Sequence, residues 1–391
     1  MKKILSLTLV LLMGITVANA ANRINYGKFR AGTFSDNYVM FAKGNMNYFG
    51  QSDVFEIYST AYESHGNNSQ YISSTTNYTW DLFGWGTSGA TFNTKTYPAW
   101  LVSTDRADYA GTMIEYTNAN SNANYKNYDW ATYNNVNHES AGVYQTPTYE
   151  NWNWILFKRD NAANLKGAAK INTVNGYIIL PDNWSTPLDL KFVPGATNPS
   201  TNYYTLAEWA IMEAAGAIFL PTFGYREGTE WQDDGIGHYW TSTSHRWNSE
   251  AGTNKTAYEV VLGGANPTSE GEVLVAAPFS KGNAVRLIEN KKHSLETVRG
   301  EETVNIDDKA ITSYEWQGRT LTKSGDYTFT FLEVREDVDS IATLHLRMAV
   351  DAAIEAVPTT NKVNAQKVIR DGQLFIIRDD KVYNAAGQEV K

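Results

Sequence analysis

Beyond its N-terminus, the chain carries its apolar residues in short runs that end at Gly, Asn or Pro. Three of these runs occupy residues 177–181, 217–221 and 257–262. Runs of this length bounded by turn-forming residues are typical of β-strands. The chain is therefore expected to be mostly β, with many turns between short strands.

Two segments of the first 290 residues indicate helices. Thr205 and Glu208 form a capping-box pattern, in which each side chain binds a backbone N–H that the first helical turn leaves unpaired. Gly216 is the expected end of that helix. The second helix is predicted over residues 148–159, where apolar side chains recur on one face. With strands elsewhere, the fold class is α+β with few helices.

The N-terminus has the features of a secretory signal. Lys2 and Lys3 precede an apolar run over residues 4–17, and small residues follow up to Ala20. Because a bilayer-spanning helix needs about 20 apolar residues, residues 1–20 are expected to be a cleaved signal peptide. The mature chain is then secreted or held at the outer cell surface, and no other apolar stretch is long enough to span a membrane.

Composition excludes several functions and favours one. The chain has no cysteine and a formal charge of −9, without a basic cluster. These properties argue against thiol chemistry, cysteine-ligated metals and nucleic-acid binding. Aromatic residues make up 13% of the chain, and many Asn, Ser and Thr accompany its 24 Tyr and 12 Trp. That mixture is typical of surfaces that bind sugars or proteins.

Composition also divides the mature chain. Residues 21–290 are rich in Trp, Tyr, Asn and Gly and are expected to form the main domain. Residues 291–310 are charged and suggest a linker. Residues 311–350 alternate like a small β module, and residues 351–391 are predicted to form a second linker and a C-terminal β hairpin.

Ordered motifs in the main domain resemble a known family. They include MFAKGN at 40–45, DLFGWGTSG at 81–89, VNGYIILPDNW at 174–184 and GHYWTSTS at 237–244. This series resembles the paralogous bacterial surface-protein domain related to the sulfatase-modifying (formylglycine-generating) fold, which is a C-type-lectin-like fold. The resemblance implies an irregular α+β domain. It does not imply formylglycine-generating activity, because the cysteine pair of those enzymes is missing.

The same resemblance implies where a ligand binds. In ligand-binding relatives the contact surface follows the Tyr-Trp-Ser/Thr-Ser motif, so Trp240 and Arg286 are expected to be structural. Calcium-dependent lectins of the wider fold use carboxylate and amide clusters, whose nearest counterpart here, at Asp182, is expected to be a turn; no metal or cofactor is predicted. The predicted ligand-binding residues are Thr243, Ser244, His245, Arg246, Trp247, Asn248, Tyr258 and Glu259.

The tail has resemblances of its own. Residues 314–318, 324–328 and 339–346 resemble a short β repeat of adhesin-like surface proteins. Residues 372–379 and 382–390 are similar to the C-terminal sorting domains of type IX secretion. These similarities also imply a protein of the cell surface.

The sequence thus predicts a non-catalytic binding protein for a glycan or a cell-surface protein. One alternative is a structural or adhesin subunit of a surface assembly. A weaker alternative is a glycoside hydrolase, which requires two carboxylates flanking the scissile bond. Its candidate carboxylates are Glu227, Glu230, Asp233 and Asp234, but adjacent carboxylates on an extended chain point in different directions. A solvated acidic loop is the simpler interpretation.

Overall fold

The computed structural model describes residues 23–64, 79–92, 94–109, 129–187, 190–232, 235–245, 256–263 and 270–349, with short strand segments between 365 and 390. Helical residues make up 14% of the chain, and most of the regular structure is β-strand in small sheets. This confirms the coarse prediction of a largely β protein with few helices. None of the described helices combines the length and hydrophobicity that crossing a membrane requires.

Several sequence predictions lie outside the described residues. They include the signal peptide at 1–20 and the second linker at 351–364. Among the predicted site residues they are Arg246, Trp247, Asn248, Asp233 and Asp234.

The chain divides into two compact units. The first consists of residues 1–301 and 328–343, and the second of residues 302–327 and 344–391. Residues 328–343 therefore belong to the first unit, whereas the sequence placed them in a separate module at 311–350.

The helices of the described residues are short and lie in the first unit. α3 begins after the Thr205 cap, where Thr205 and Glu208 form the expected capping box, and Gly216 follows its end with φ +97°. The predicted second helix is α2, capped by Thr148 and continued by a π-helical turn. The α-helices are α1 (Trp130–Tyr133), α2 (Tyr149–Asn153), α3 (Leu206–Ala214) and α4 (Glu270–Val273), the π-helical turn is Trp154–Lys158, and the 3-10 turns are Arg106–Asp108, Ala162–Asn164 and Pro199–Asn202.

The strands of the first unit pair into small, mostly antiparallel sheets. The three apolar runs read as strands from the sequence form β10, β12 and β16, as predicted. The strands are β1 (Phe29–Arg30), β2 (Tyr38–Val39), β3 (Met46–Phe49), β4 (Val54–Ile57), β5 (Thr79–Trp80), β6 (Thr91–Phe92), β7 (Lys95–Thr96), β8 (Tyr144–Gln145), β9 (Lys166–Ile171), β10 (Val174–Ile179), β11 (Tyr203–Tyr204), β12 (Ile218–Pro221), β13 (Tyr225–Glu227), β14 (Glu230–Gln232), β15 (Gly237–Ser244), β16 (Thr256–Leu262), β17 (Leu274–Pro278), β18 (Lys281–Gly282) and β19 (Ile288–Glu289).

Two of these sheets organise the unit. β9, β10 and β12 are antiparallel neighbours, and the short β11 joins β9 in parallel. β15, β16 and β17 form a second antiparallel sheet, with a register shift in β15 between Trp240 and Ser244. In the smaller sheets, β1 pairs with β2, β6 with β7 and β8 with β19, while β3 lies between β4 and β5, and β13 lies between β14 and β18.

Aromatic side chains fill the core of the first unit. Trp85, Trp130 and Trp240 belong to one buried cluster, Trp152 to a second and Trp209 to a third. The prediction that Trp240 is a core residue is confirmed, because its side chain is fully buried. Most of the tryptophan content therefore contributes to folding through buried apolar area.

The remaining strands run from residue 296 to the C-terminus. Residues predicted to form one C-terminal hairpin instead make four antiparallel strands, β25 to β28. β23 and β24 form a three-stranded sheet with β20, and β21 pairs with β22. The bounds are β20 (Glu296–Ile306), β21 (Tyr314–Trp316), β22 (Arg319–Leu321), β23 (Gly325–Arg335), β24 (Val338–Met348), β25 (Ala365–Arg370), β26 (Gln373–Arg378), β27 (Lys381–Asn384) and β28 (Glu389–Val390).

A buried histidine fixes the turn between β23 and β24 to the rest of the first unit. The side chain of His293 is 1% exposed, with Nδ1 2.9 Å from Asp337 Oδ1 and Nε2 3.0 Å from Glu289 Oε2. Burial alone lowers the pKa of His293, but its hydrogen bonds with the two carboxylates outweigh that effect and raise the pKa above 6.5. For Asp337 the effects have the opposite signs. Burial alone raises its pKa, but the hydrogen bonds from Ser294 and His293 outweigh burial and lower the pKa below its usual value.

These opposite shifts predict a pH dependence of stability. The stabilisation of the folded state by charged His293 is complete below about pH 6.5 and is lost as pH rises through its raised pKa. The stabilisation by ionised Asp337 is lost only in acid. Lys291, which faces Asp337, stays charged throughout this range. We expect the melting temperature to fall between about pH 6 and about pH 8, and to fall less in His293→Gln. His138→Gln, which alters a 79% exposed histidine, should keep the full dependence. The same pH dependence of the melting temperature in the parent and both variants would show that His293 is not its source.

Candidate functional site

The predicted ligand-binding segment begins at the irregular end of β15. Thr241 fixes this irregularity, since its hydroxyl donates to the carbonyl oxygen of Tyr258 at 2.8 Å and accepts from the N–H of Thr243 at 3.1 Å. The N–H of His245 then donates to the carbonyl oxygen of Thr256 at 2.8 Å, which closes the pair of strands. The ends of β15 and β16 are therefore held together where residues 246–255 connect them.

Three aromatic rings meet at this place. The ring of Tyr258 lies 4.9 Å from that of His245 in an edge-to-face arrangement and 4.4 Å from that of Tyr149 in a tilted one. Such separations are favourable for aromatic pairs. All three side chains are partly exposed. We refer to Tyr149, His245 and Tyr258 as the tyrosine cluster.

Helix α2 brings Tyr149 to the strands. The N–H of Ser242 donates to the carbonyl oxygen of Pro147 at 2.9 Å, and the N–H of Tyr149 donates to the Thr243 hydroxyl at 3.0 Å. Thr148 caps the helix by accepting from the N–H of Asn151 at 3.1 Å. Because these bonds involve backbone groups on both sides, the position of Tyr149 relative to β15 is fixed before any ligand arrives.

The tyrosine cluster offers both apolar and polar groups to solvent. Within the described part of the chain, the hydroxyls of Tyr149 and Tyr258 make no hydrogen bond. Beside Tyr258 on β17 lies Ala276, which is exposed and leaves the ring uncovered on that side. A sugar ring or an apolar side chain could pack on the tyrosine faces while the hydroxyls bond to its polar groups.

The predicted site residues divide between the two faces of the sheet. Thr243, His245 and Tyr258 lie together at the cluster, and Ser244 pairs with Ala257 at the strand end. Glu259 is 4% exposed and lies on the opposite face, because successive residues of a strand point to opposite sides. The structure therefore does not bring Glu259 to the surface that carries Tyr258.

Glu259 instead accepts hydrogen bonds in a buried polar group. Its carboxylate oxygens lie 2.9 Å from Lys281 Nζ, and Oε2 also lies 3.1 Å from His238 Nδ1 and 2.7 Å from Asn283 Nδ2. Burial raises the pKa of Glu259, but the hydrogen bonds and charges of His238 and Lys281 more than offset this and lower it. The group joins β15, β16 and β18, which is a structural role.

The acidic pair proposed for a hydrolase lies at an exposed turn. Glu227 and Glu230 are cross-strand neighbours of β13 and β14 and are both exposed. The two residues between them form a tight turn in which Gly228 has φ +58°. This is the arrangement of a solvated hairpin end.

The turn after β10 is occupied by structural contacts. Asp182 accepts from Arg159 Nη1 at 3.0 Å and from the N–H of Arg30 at 2.8 Å. Asn183 donates to Asp339 at 2.6 Å. Among the described residues, no group of three or more histidine and acidic side chains is arranged to hold a metal ion.

Tyr149 is the member of the cluster that the sequence did not indicate as a ligand-binding residue. It is separated by 94 residues from Thr243, its partner on β15, and no local pattern signals a contact at that distance. No protein-family model matches the chain, and neither a curated protein nor a solved structure matches it.

Proposed function

We propose that this is an exported, non-catalytic binding protein that recognises a glycan or a cell-surface protein through the tyrosine cluster. The observation that carries this proposal is the pair of partly exposed tyrosines whose backbone is held by hydrogen bonds, whose rings lie 4.4 Å apart and whose hydroxyls have no partner in the described chain. Tyrosine and histidine side chains of this kind are common in binding surfaces, since they combine a large apolar area with few rotatable bonds.

Rigidity supports binding at this position. The Thr241, Thr243 and Ser242 contacts hold Tyr149 and Tyr258 at the irregular end of β15. Groups that are already ordered lose less conformational entropy when a ligand binds. A ligand at the tyrosine cluster therefore gains contact area without the cost of ordering the backbone that carries the two rings.

The fold and location are part of the same proposal. The ordered motifs and the small antiparallel sheets with few helices support a C-type-lectin-like fold for the first unit. The basic and apolar N-terminus supports export, and the tail motifs support display at the cell surface through a type IX-like signal.

Replacing Tyr258 with alanine tests the binding site. On arrays of glycans and of cell-surface proteins, we expect the mature chain to give saturable binding that falls about tenfold or more in Tyr258→Ala and in Tyr149→Ala. The matched control is Tyr203→Ala, which alters a 50% exposed tyrosine outside the cluster. The control should bind like the parent, and all four proteins should unfold at similar temperatures.

Other outcomes would reject parts of the proposal. Binding that survives both cluster variants would place the ligand elsewhere. No binding on either array, together with oligomers at high protein concentration, would favour a structural or adhesin subunit of a surface assembly. Cleavage of a bound glycan that stops in Glu227→Gln or Glu230→Gln would show that the protein is an enzyme.

A further inference from the structure

An open groove of about 260 Å³ lies in the first unit, away from the residues predicted to bind a ligand. Polar side chains from β2, β8 and α2 line it, together with the segment that follows β19. The side-chain amides in the lining are those of Asn37, Gln145, Asn151 and Asn290. An amide both donates and accepts hydrogen bonds, as a sugar hydroxyl does, so this lining suits a ligand with many hydroxyls.

The walls of the groove are held rigidly by contacts with the rest of the unit. Asn151 accepts from the N–H of Thr148 at 3.0 Å and donates to the carbonyl oxygen of Ala31 at 3.2 Å. Asn290 donates to the carbonyl oxygen of Gly142 at 3.0 Å. Tyr38 exchanges backbone hydrogen bonds of 3.0 and 3.1 Å with His293. The shape of the groove is therefore set before a ligand binds.

Other polar groups in the lining are left for a ligand. Within the described residues, the side-chain amides of Asn37 and Gln145 and the hydroxyl of Tyr38 make no hydrogen bond. The Asn37 side chain lies against Gly32, where any larger residue would meet its Nδ2. Burial and the charge of Asp182 raise the pKa of Tyr38, so its hydroxyl remains a donor at neutral pH.

One lysine at the rim is available for an anion. Lys292 Nζ lies 3.9 Å from Asp36 Oδ2, and the two side chains are 71% and 59% exposed. An exposed pair at that distance contributes little and exchanges readily for a ligand carboxylate. Lys291 is instead bonded to Glu336. The rim therefore carries one positive charge beside a lining of amides and a tyrosine.

We propose that this groove binds one pyranose residue that carries a carboxylate, as in a uronic or sialic acid. Asn37, Gln145 and Tyr38 would bond to its hydroxyls, and Lys292 would pair with its carboxylate. The volume is smaller than the ~300 Å³ at which pockets for drug-sized ligands begin, which suits a single sugar ring and not an oligosaccharide. This site is separate from the tyrosine cluster and does not depend on it.

The test is titration of the mature chain with methyl glycosides of glucuronic, galacturonic and N-acetylneuraminic acids and with their neutral counterparts, followed by NMR. We expect saturable binding of at least one acidic glycoside, with its neutral counterpart about tenfold weaker. Lys292→Ala should remove this preference, and Gln145→Ala should weaken both members of the pair. Raising the ionic strength from about 0.1 to about 1 M should weaken only the acidic member.

Matched variants separate this proposal from the tyrosine cluster. Lys95→Ala removes an exposed lysine that also pairs with an exposed aspartate and should bind like the parent. Tyr258→Ala should also bind like the parent. No saturable binding of any acidic glycoside, equal binding of acidic and neutral members, or binding lost in Tyr258→Ala but kept in both groove variants would each overturn the proposal, whatever the arrays show for the cluster.

Discussion

Replacing Asp339 with alanine is expected to destabilise the first unit by roughly 3–5 kcal/mol, because the substitution removes the fully buried one of the two carboxylates that neutralise a buried lysine. Lys28 Nζ lies 2.7 Å from Asp339 Oδ1, and neither side chain is exposed. The only other carboxylate at Lys28 in the described structure is Glu333, at 2.5 Å and 18% exposed. Without Asp339 the buried ammonium of Lys28 keeps only the partly exposed Glu333, so its desolvation is less well offset.

Asp339 also accepts hydrogen bonds from two other groups. Asn183 Nδ2 donates to Oδ2 at 2.6 Å, and the N–H of Glu333 donates to Oδ1 at 2.9 Å. In Asp339→Ala both donors lose their acceptor inside the protein, which adds to the cost. In Asp339→Asn the shape and one acceptor oxygen remain while the charge is lost. We therefore expect Asp339→Asn to be destabilised less than Asp339→Ala.

Urea unfolding of the mature chain measures these effects. Asp36→Ala is the matched control, because its carboxylate is 59% exposed and 3.9 Å from Lys292, and its expected cost is below about 1 kcal/mol. The double variant Lys28→Met, Asp339→Leu removes the fully buried pair and leaves only the partly exposed Glu333 carboxylate, so it should recover part of the lost stability. A midpoint for Asp339→Ala equal to that of Asp36→Ala would contradict the prediction.

The contact of Lys28 with Asp339 explains why the sequence divided the chain differently. Composition changes at about residue 290, and this change suggested a linker and a separate module. The two residues that form the ion pair are 311 positions apart, and neither carries a local signal of its partner. A change in composition reflects how polar and solvent-exposed a segment is, whereas the limits of a compact unit depend on contacts between residues far apart in the sequence.

Local signals predicted secondary structure well where they were complete. The helix after Thr205 was predictable because its cap and its final glycine lie within twelve residues of chain, and the structure contains both of them. The three apolar runs became β10, β12 and β16 for the same reason. The pairing order of these strands was not predictable, since it depends on contacts between distant segments.

The site was only partly predictable. Of the residues predicted to bind a ligand, Thr243, His245 and Tyr258 lie together at one surface, whereas Glu259 points to the opposite face. Because successive residues of a strand point to opposite faces, the sequence alone could have separated Tyr258 from Glu259 once β16 was recognised. The membership of Tyr149 in the tyrosine cluster could not be predicted from the sequence, because it depends on how α2 packs against β15.

Arg286→Ala is expected to cost at least about 4 kcal/mol, because several buried acceptors lose their donor together. The Arg286 guanidinium is fully buried and donates to Asn45 Oδ1 at 2.9 Å and to the carbonyl oxygens of Ala42, Lys43 and Phe219 at 3.1, 2.7 and 2.8 Å. It therefore joins the segment before β3 to strand β12. The sequence predicted a structural role for Arg286, and its burial confirms it.

The charge of Arg286 persists at neutral pH. Burial lowers its pKa to about 10, against the opposing charges of Tyr239 and Glu213. Arg286→Lys would keep a positive charge but cannot reach acceptors on several sides, since a lysine ammonium lacks the planar fork of the guanidinium. We expect Arg286→Lys to be destabilised nearly as much as Arg286→Ala, which would show that the directions of the hydrogen bonds matter more than the charge.

Thermal and urea unfolding with Arg299→Ala as the control completes this test. Arg299 is exposed and has no partner among the described residues, so its loss should change stability by less than about 0.5 kcal/mol. If Arg286→Lys retained the stability of the parent, charge and not geometry would hold β12 to the segment before β3. If Arg286→Ala matched Arg299→Ala, those carbonyl groups would have found other donors, and the buried arginine would not be required for the fold.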